Sequence, residues 1–196
     1  MRWFGLALIL ALFGAGEAKA QVVALGDSAV RGYFLPISDA WPAKLEALLR
    51  QHGINVSVAN EGINGDTSEG MLERLDSAVP SGTRVVILGC CANDNKDKQH
   101  IVLDHETTLR TIIHRLHARG IVVIYSRTGR GLKGGGPADV ALARDAGASL
   151  CGGMYQGVPP EELEKSKAGA HPTAKGHDII AARMAPCVMR ALRGKG

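Results

Sequence analysis

The chain has 196 residues, 45% hydrophobic and 21% charged, which suits one domain with a sizeable core and excludes disorder, collagen and coiled coil as its main character. Its formal charge of +4 forms no block, and a 4% aromatic content supplies no base-stacking surface, so nucleic acid is not an expected partner.

Residues 1–20, MRWFGLALILALFGAGEAKA, begin with a basic Arg2, run apolar from Trp3 to Phe13 and end on the small-x-small site Ala18-Lys19-Ala20. This is the pattern of a secretory signal peptide, and the run is shorter than the ~20 residues of a membrane span. Cleavage before Gln21 leaves 21–196 as one domain, expected to be periplasmic or secreted with no stable membrane span. Loss of Arg2, Glu17 and Lys19 lowers its charge from +4 to +3. An oxidising compartment permits disulfides among Cys90, Cys91, Cys151 and Cys187. The sequence leaves the three full pairings open. Cys151 with Cys187 is preferred to a strained bridge between neighbours, and four buried thiols are an equal reading.

Gln21–Gly26 predicts a first strand and 39–52 a helix closed by Gly53. Asn55–Asn60 predicts a second strand and 67–78 a helix. Arg84–Gly89, apolar throughout, predicts a third strand buried on both faces. Over 102–119, Leu109, Ile112, Ile113 and Leu116 share one helical face, and Gly120 stops the helix. Ile121–Ser126 predicts a fourth strand, 138–146 a short helix, 148–151 a short fifth strand and 174–192 a final helix. This alternation implies an α/β fold with a parallel sheet and right-handed crossovers. In such sheets the site lies beyond the carboxyl ends of the strands.

The polar segments fall there. Gly26-Asp27-Ser28 follows the first strand, Asn64-Gly65-Asp66-Thr67-Ser68 the second and Cys91-Ala92-Asn93-Asp94 the third, while His171-Pro172-Thr173 precedes the last helix. A serine, a histidine and amide donors for a developing oxyanion are what acyl transfer requires. Asp27 and Asp66 read as structural groups bonding nearby backbone amides.

Three blocks carry a resemblance: Gly26-Asp-Ser-x-x-x-Gly-Tyr-x-Leu-Pro36 with Ser38-Asp-Ala-Trp-Pro-Ala-Lys-Leu45, then Asn64-Gly-Asp-Thr-Ser68, and His171-Pro-Thr-Ala-x-Gly-His177. In this order they resemble the GDSL or SGNH hydrolases, especially the exported arylesterase and thioesterase/lysophospholipase subgroup. The resemblance implies a three-layer α/β/α sandwich with a five-stranded flavodoxin-like sheet. It implies Ser28 as nucleophile and His171 as general base. It also implies an oxyanion hole of the Ser28 and Gly65 amides and the Asn93 side chain. The expected substrate is a small-molecule ester or thioester, with no metal or other cofactor, and the protein is expected to be a monomer.

Two positions depart from the family pattern. Ala168 stands where the family carries an aspartate three residues before its histidine, and Cys91 where its third block usually begins with glycine. Two readings follow: a working esterase with a Ser-His dyad, or a degenerate relative that binds an acylated or glycan ligand without turnover. The intact set Ser28, Gly65, Asn93 and His171 favours the first. A backbone carbonyl or another carboxylate could take the missing acid's place, and Glu161, Glu162 and Glu164 are near in sequence. The glycine-rich run Gly129–Gly134 lacks the helix and the acidic residue of a dinucleotide site, and reads as a flap. Arg127 and Arg130 beside it are candidate contacts for an anionic substrate group. His100, His105, His114 and His117 complete no zinc-ligand set and read as surface residues.

Overall fold

A computed structural model describes residues 21–94, 105–128, 141–142, 145–166 and 169–194. Its main sheet has five parallel strands: β1 (Val22–Gly26), β2 (Val58–Gly62), β3 (Val85–Gly89), β4 (Val122–Tyr125) and β5 (Ser149–Leu150), in the order β2-β1-β3-β4-β5. This is the expected flavodoxin-like order, and the chain leaves β1 and β3 in opposite directions at the switch point between them.

β1 and β3 are buried at every position, because helices cover both faces of the sheet. Val22, Ala24, Val85 and Ile87 point to one face, where α2 (Trp41–Gln51) and α6 (Ala174–Arg193) supply Leu45, Leu49, Ile180, Met184 and Val188. Val23, Leu25, Val86 and Leu88 point to the other, against α3 (Ser68–Glu73), α4 (Leu75–Ala78) and α5 (His105–Ala118). The α5 face expected from periodicity, Leu109, Ile112, Ile113 and Leu116, is fully buried there. The result is an α/β/α sandwich.

The structure shifts several expected boundaries. The second strand runs 58–62 rather than 55–60, because Val58 pairs with Val22 and Gly62 with Gly26. The helix expected over 67–78 breaks at Arg74 into α3 and α4. A short helix, α1 (Ser28–Arg31), follows β1, with Asp27 as its N-cap. A two-stranded antiparallel hairpin of β6 (Leu163–Ser166) and β7 (Gly169–Pro172) stands outside the main sheet. Its sequence, Leu163-Glu-Lys-Ser166 and Gly169-Ala-His-Pro172, has no apolar alternation to signal strands. Of the expected helix 138–146, the described residues 141–142 and 145–146 are helical; the glycine run 129–134 lies outside the described residues.

Cys151 and Cys187 are joined across 36 positions, tying the loop after β5 to α6. Cys90 and Cys91 are joined as well, against the expectation that neighbours would not pair. Cys91 adopts φ +94°, a region that favours glycine, which accounts for the family's residue type at that position.

Candidate active site

Three strands end level with one another. Gly26 of β1 stands beside Gly62 of β2 and Gly89 of β3. The absence of side chains lets α1 settle onto these ends: a Cβ at Gly62 would lie 2.2 Å from the Arg31 nitrogen, and one at Gly26 would lie 2.2 Å from the Gly89 carbonyl oxygen. Ser28, Gly65 and Asn93 each follow within a few residues of this row, so backbone register brings the three predicted blocks to one rim.

Ser28 sits in the first turn of α1. Asp27 accepts a hydrogen bond from the Ala29 amide at 2.9 Å through one carboxylate oxygen and from the Thr128 hydroxyl at 2.7 Å through the other. Burial pushes the pKa of Asp27 up, and its hydrogen bonds to Thr128, Ala29 and Ala92 pull against that rise. One buried carboxylate thus fastens the segments after β1, β3 and β4 together. Asp27 is structural, as expected, and in capping α1 it leaves the Ser28 hydroxyl for another partner.

That partner is His171. Its Nε2 lies 2.9 Å from Ser28 Oγ although the residues are 143 positions apart. His171 belongs to β7 and is 6% exposed. The N-terminus of α6, which follows, is capped by the Thr173 hydroxyl accepting from the Gly176 amide at 3.2 Å. Thr173 also donates its hydroxyl to Glu162, whose other carboxylate oxygen meets Lys175 at 3.3 Å. The Thr173 bond, first, and then Lys175 hold the Glu162 carboxyl below its ordinary pKa. Glu162 is therefore engaged with the helix cap. Glu164 stands directly across the β6–β7 ladder from His171. Ala168 lies outside the described residues.

The oxyanion candidates lie on the loops after β2 and β3. Gly65 has φ +81° and open space where a side chain would be. Among the described residues, neither its N–H nor that of Ser28 meets an acceptor. Asn93 is buried and donates from Nδ2 to the Asp66 carbonyl oxygen at 2.9 Å, which fixes its amide plane beside the Gly65 loop.

Sequence reasoning missed the residue that locks this loop. Arg74, at the break between α3 and α4, donates through Nε and a terminal nitrogen to Asp66 Oδ2 at 3.0 and 2.7 Å. That terminal nitrogen also reaches the carbonyl oxygens of Glu61, at 2.8 Å, and Gly26, at 3.3 Å. One guanidinium thereby fastens the Gly65 loop to the ends of β1 and β2. In sequence Arg74 looks like any polar residue on an amphipathic helix. Only the helix break, invisible there, turns it inward. The aspartate it grips, Asp66, is structural as expected.

The second histidine of the last block, His177, is fully buried, and its Nδ1 accepts from the Trp41 amide at 2.9 Å. Burial, with Lys44 nearby, lowers its pKa to about 4, so it is a neutral structural group. Arg127 is exposed just after β4, and Arg130 lies outside the described residues. His114 is exposed and His117 half-buried on α5, as surface histidines would be. Beside the Ser28–His171 pair, Tyr33 places its ring centroid 4.6 Å from that of His171.

A family model, the GDSL-like lipase/acylhydrolase family, matches residues 24–179. An arylesterase of Vibrio mimicus is 37% identical over 95 residues, 48% of this chain and 48% of that protein, so the match spans about half the length of this curated relative. The crystal structure of TesA superposes with a TM-score of 0.72 at 22% identity, covering 87% of this chain and 98% of that one. That of AlinE4, an SGNH-hydrolase family esterase, superposes with a TM-score of 0.63 at 26% identity, covering 90% and 98%.

Proposed function

The chain belongs to the GDSL-like lipase/acylhydrolase family, and on that footing we propose that it is an exported serine esterase cleaving carboxylic ester or thioester bonds. The observation that carries the proposal is the 2.9 Å contact between Ser28 Oγ and His171 Nε2. Ser28 Oγ attacks the acyl carbon while its proton passes to Nε2. The carbonyl oxygen becomes an oxyanion facing the Ser28 and Gly65 amides and the Asn93 side chain, donors already positioned before charge develops. Collapse breaks the bond to the alcohol or thiol, which takes the proton from Nε2. Water then repeats the sequence on the acyl-serine, returning Ser28 and releasing the acid. The Ser28–His171 contact favours turnover over binding without turnover. Export is supported by the signal pattern of residues 1–20 and by the Cys151–Cys187 bridge.

Purified protein is expected to hydrolyse p-nitrophenyl acetate and butyrate, and Ser28→Ala to lower kcat by at least about a thousandfold. Equal rates for the two proteins would contradict the reading.

A further inference from the structure

The two disulfides differ in what they close. Cys151–Cys187 encloses 36 positions, whereas Cys90 and Cys91 are neighbours. A bridge between neighbours closes no chain loop, so it removes little freedom from the unfolded chain and adds little to overall stability. Its effect is local. The ring it forms contains the peptide bond between the two residues, and the N–Cα bond of Cys91 is itself a ring bond. The bridge therefore holds the φ of Cys91 at +94°, a value that a residue with a side chain otherwise avoids.

Cys91 stands between two anchored groups. The Cys90 carbonyl oxygen accepts from the Thr128 amide at 2.9 Å, and the Ala92 amide donates to the Asp27 carboxylate. The next two residues reach across to the Gly65 loop. Asn93 Nδ2 donates to the Asp66 carbonyl oxygen at 2.9 Å, and Asp94 Oδ1 accepts from the Ser68 amide at 2.9 Å. The backbone turn at Cys91 thus sets the direction in which the chain leaves β3 for Asn93. Cys90 is fully buried and Cys91 half-buried, so the bridge meets solvent at the Cys91 end.

We propose that the Cys90–Cys91 bridge is a positioning device for the Asn93 oxyanion donor, and that its reduction by a dithiol lowers turnover, so that the enzyme is redox-sensitive. The inference rests on the exported-esterase reading. A thiolate of the reductant attacks Cys91 Sγ; the S–S bond breaks, and Cys90 Sγ leaves as a thiolate that takes a proton. The reductant's second thiolate attacks the mixed disulfide, releasing Cys91 as a thiol and the reductant as its own cyclic disulfide. With the ring open, Cys91 leaves positive φ and carries Asn93 away from the developing charge. Such a donor acts in the transition state, so the loss falls on kcat and not on KM. A reducing compartment keeps cysteines as thiols, so the device confines full activity to the exported enzyme.

Wild type and Cys90→Ala/Cys91→Gly are reduced with dithiothreitol, freed of it under argon and assayed on p-nitrophenyl butyrate, with free thiols located by alkylation and mass spectrometry. Both proteins lose Cys151–Cys187, so the difference between them belongs to the neighbouring pair. Reduction is expected to lower the kcat of wild type about tenfold more than that of the variant, a part of the roughly hundredfold that removal of one oxyanion donor costs, with KM unmoved. Reoxidation should restore it. The two thermal midpoints should fall equally, because the neighbouring bridge closes no loop. Cys90→Ala/Cys91→Ala, with neither bridge nor glycine, should turn over about tenfold more slowly than Cys90→Ala/Cys91→Gly. Equal kcat losses in the two reduced proteins, or equal rates in the two variants, would overturn the proposal. So would a larger fall of the wild-type midpoint with a rise in KM, or free thiols at positions 90 and 91 in protein isolated from an oxidising compartment. If oxidised wild type hydrolyses the ester and reduction leaves its kcat unchanged, the inference fails and the esterase reading stands. If it hydrolyses no ester, both fail.

Discussion

Ser28, Gly65 and Asn93 follow three strands of one sheet that end level at Gly26, Gly62 and Gly89, whereas His171 stands on a two-stranded hairpin outside that sheet. The first region is held by backbone register, with Asp27 and Arg74 as side-chain fasteners. The second is held by its own antiparallel ladder and the Thr173–Glu162 bond, while the Cys151–Cys187 bridge and Arg183, which donates to the carbonyls of Cys151 and Met154, tie the loop after β5 to the helix that follows the hairpin. In the proposed mechanism, a nucleophile and its oxyanion donors need a fixed geometry, which backbone register would provide, and the base needs only one ring nitrogen in place, which a tethered hairpin would supply. Of the two departures from the family pattern, Cys91 lies in the loop after β3, outside the register-held strands, and Ala168 lies outside the described residues.

The contrast can be broken at either side, and the largest effect is expected in the register-held half. Arg74→Ala would leave the largely buried Asp66 carboxylate without its ion partner. Losing one member of such a pair costs about 3–5 kcal/mol. Release of the Gly65 loop should also lower kcat about a hundredfold, the cost of an ångström-scale misplacement of catalytic groups. Urea melts and steady-state kinetics on ester substrates would check both. A variant with wild-type kcat would show that the loop does not depend on the guanidinium.

On the other side, the double variant Cys151→Ser/Cys187→Ser opens a loop of 36 positions that contains His171. The chain-entropy estimate for such a loop is about 4 kcal/mol, read as a lowered urea midpoint. If the contrast is sound, the kcat of the folded variant falls less than that of Arg74→Ala, because the 2.9 Å contact with Ser28 still fixes the imidazole.

The smallest of the three effects is a pH dependence of stability. His177 is held at about 4 in the folded chain against 6.5 ordinarily, by burial first and then by Lys44, with Asp178 opposing and His171 adding a little. Between those values the unfolded chain binds more protons than the folded one. Stability is therefore fully present above pH 6.5 and lost as pH falls toward 4, by roughly 3 kcal/mol. Denaturation at pH 7, 5.5 and 4.5 should show this slope, and His177→Gln should flatten it. An unchanged slope in the variant would assign the dependence to other groups.

Much of this organisation was legible in the sequence because strong periodicity meets strong burial. β1 and β3 read as continuous apolar runs, and α5 displayed its face through Leu109, Ile112, Ile113 and Leu116. Ser28, Gly65, Asn93 and His171 stand after strands or before a helix in the sequence, and the family resemblance is what singles them out. The β6–β7 hairpin is not legible, because its short strands carry no apolar alternation. Arg74 was hidden because its role depends on a helix break that propensity does not announce. In the sequence Tyr33 is only a motif position, and Phe34 is the unspecified residue beside it. Their relation to His171 comes from long-range packing and, for Phe34, from a backbone conformation its residue type gives no hint of.

The central claim is that His171 activates Ser28 as a nucleophile. A fluorophosphonate probe reports on that alone, independently of which ester the enzyme prefers. Mass spectrometry of the labelled protein is expected to place one phosphonyl group on Ser28, with labelling absent in Ser28→Ala and at least about a hundredfold slower in His171→Ala. Label on another residue, or equal labelling rates in wild type and His171→Ala, would contradict the account.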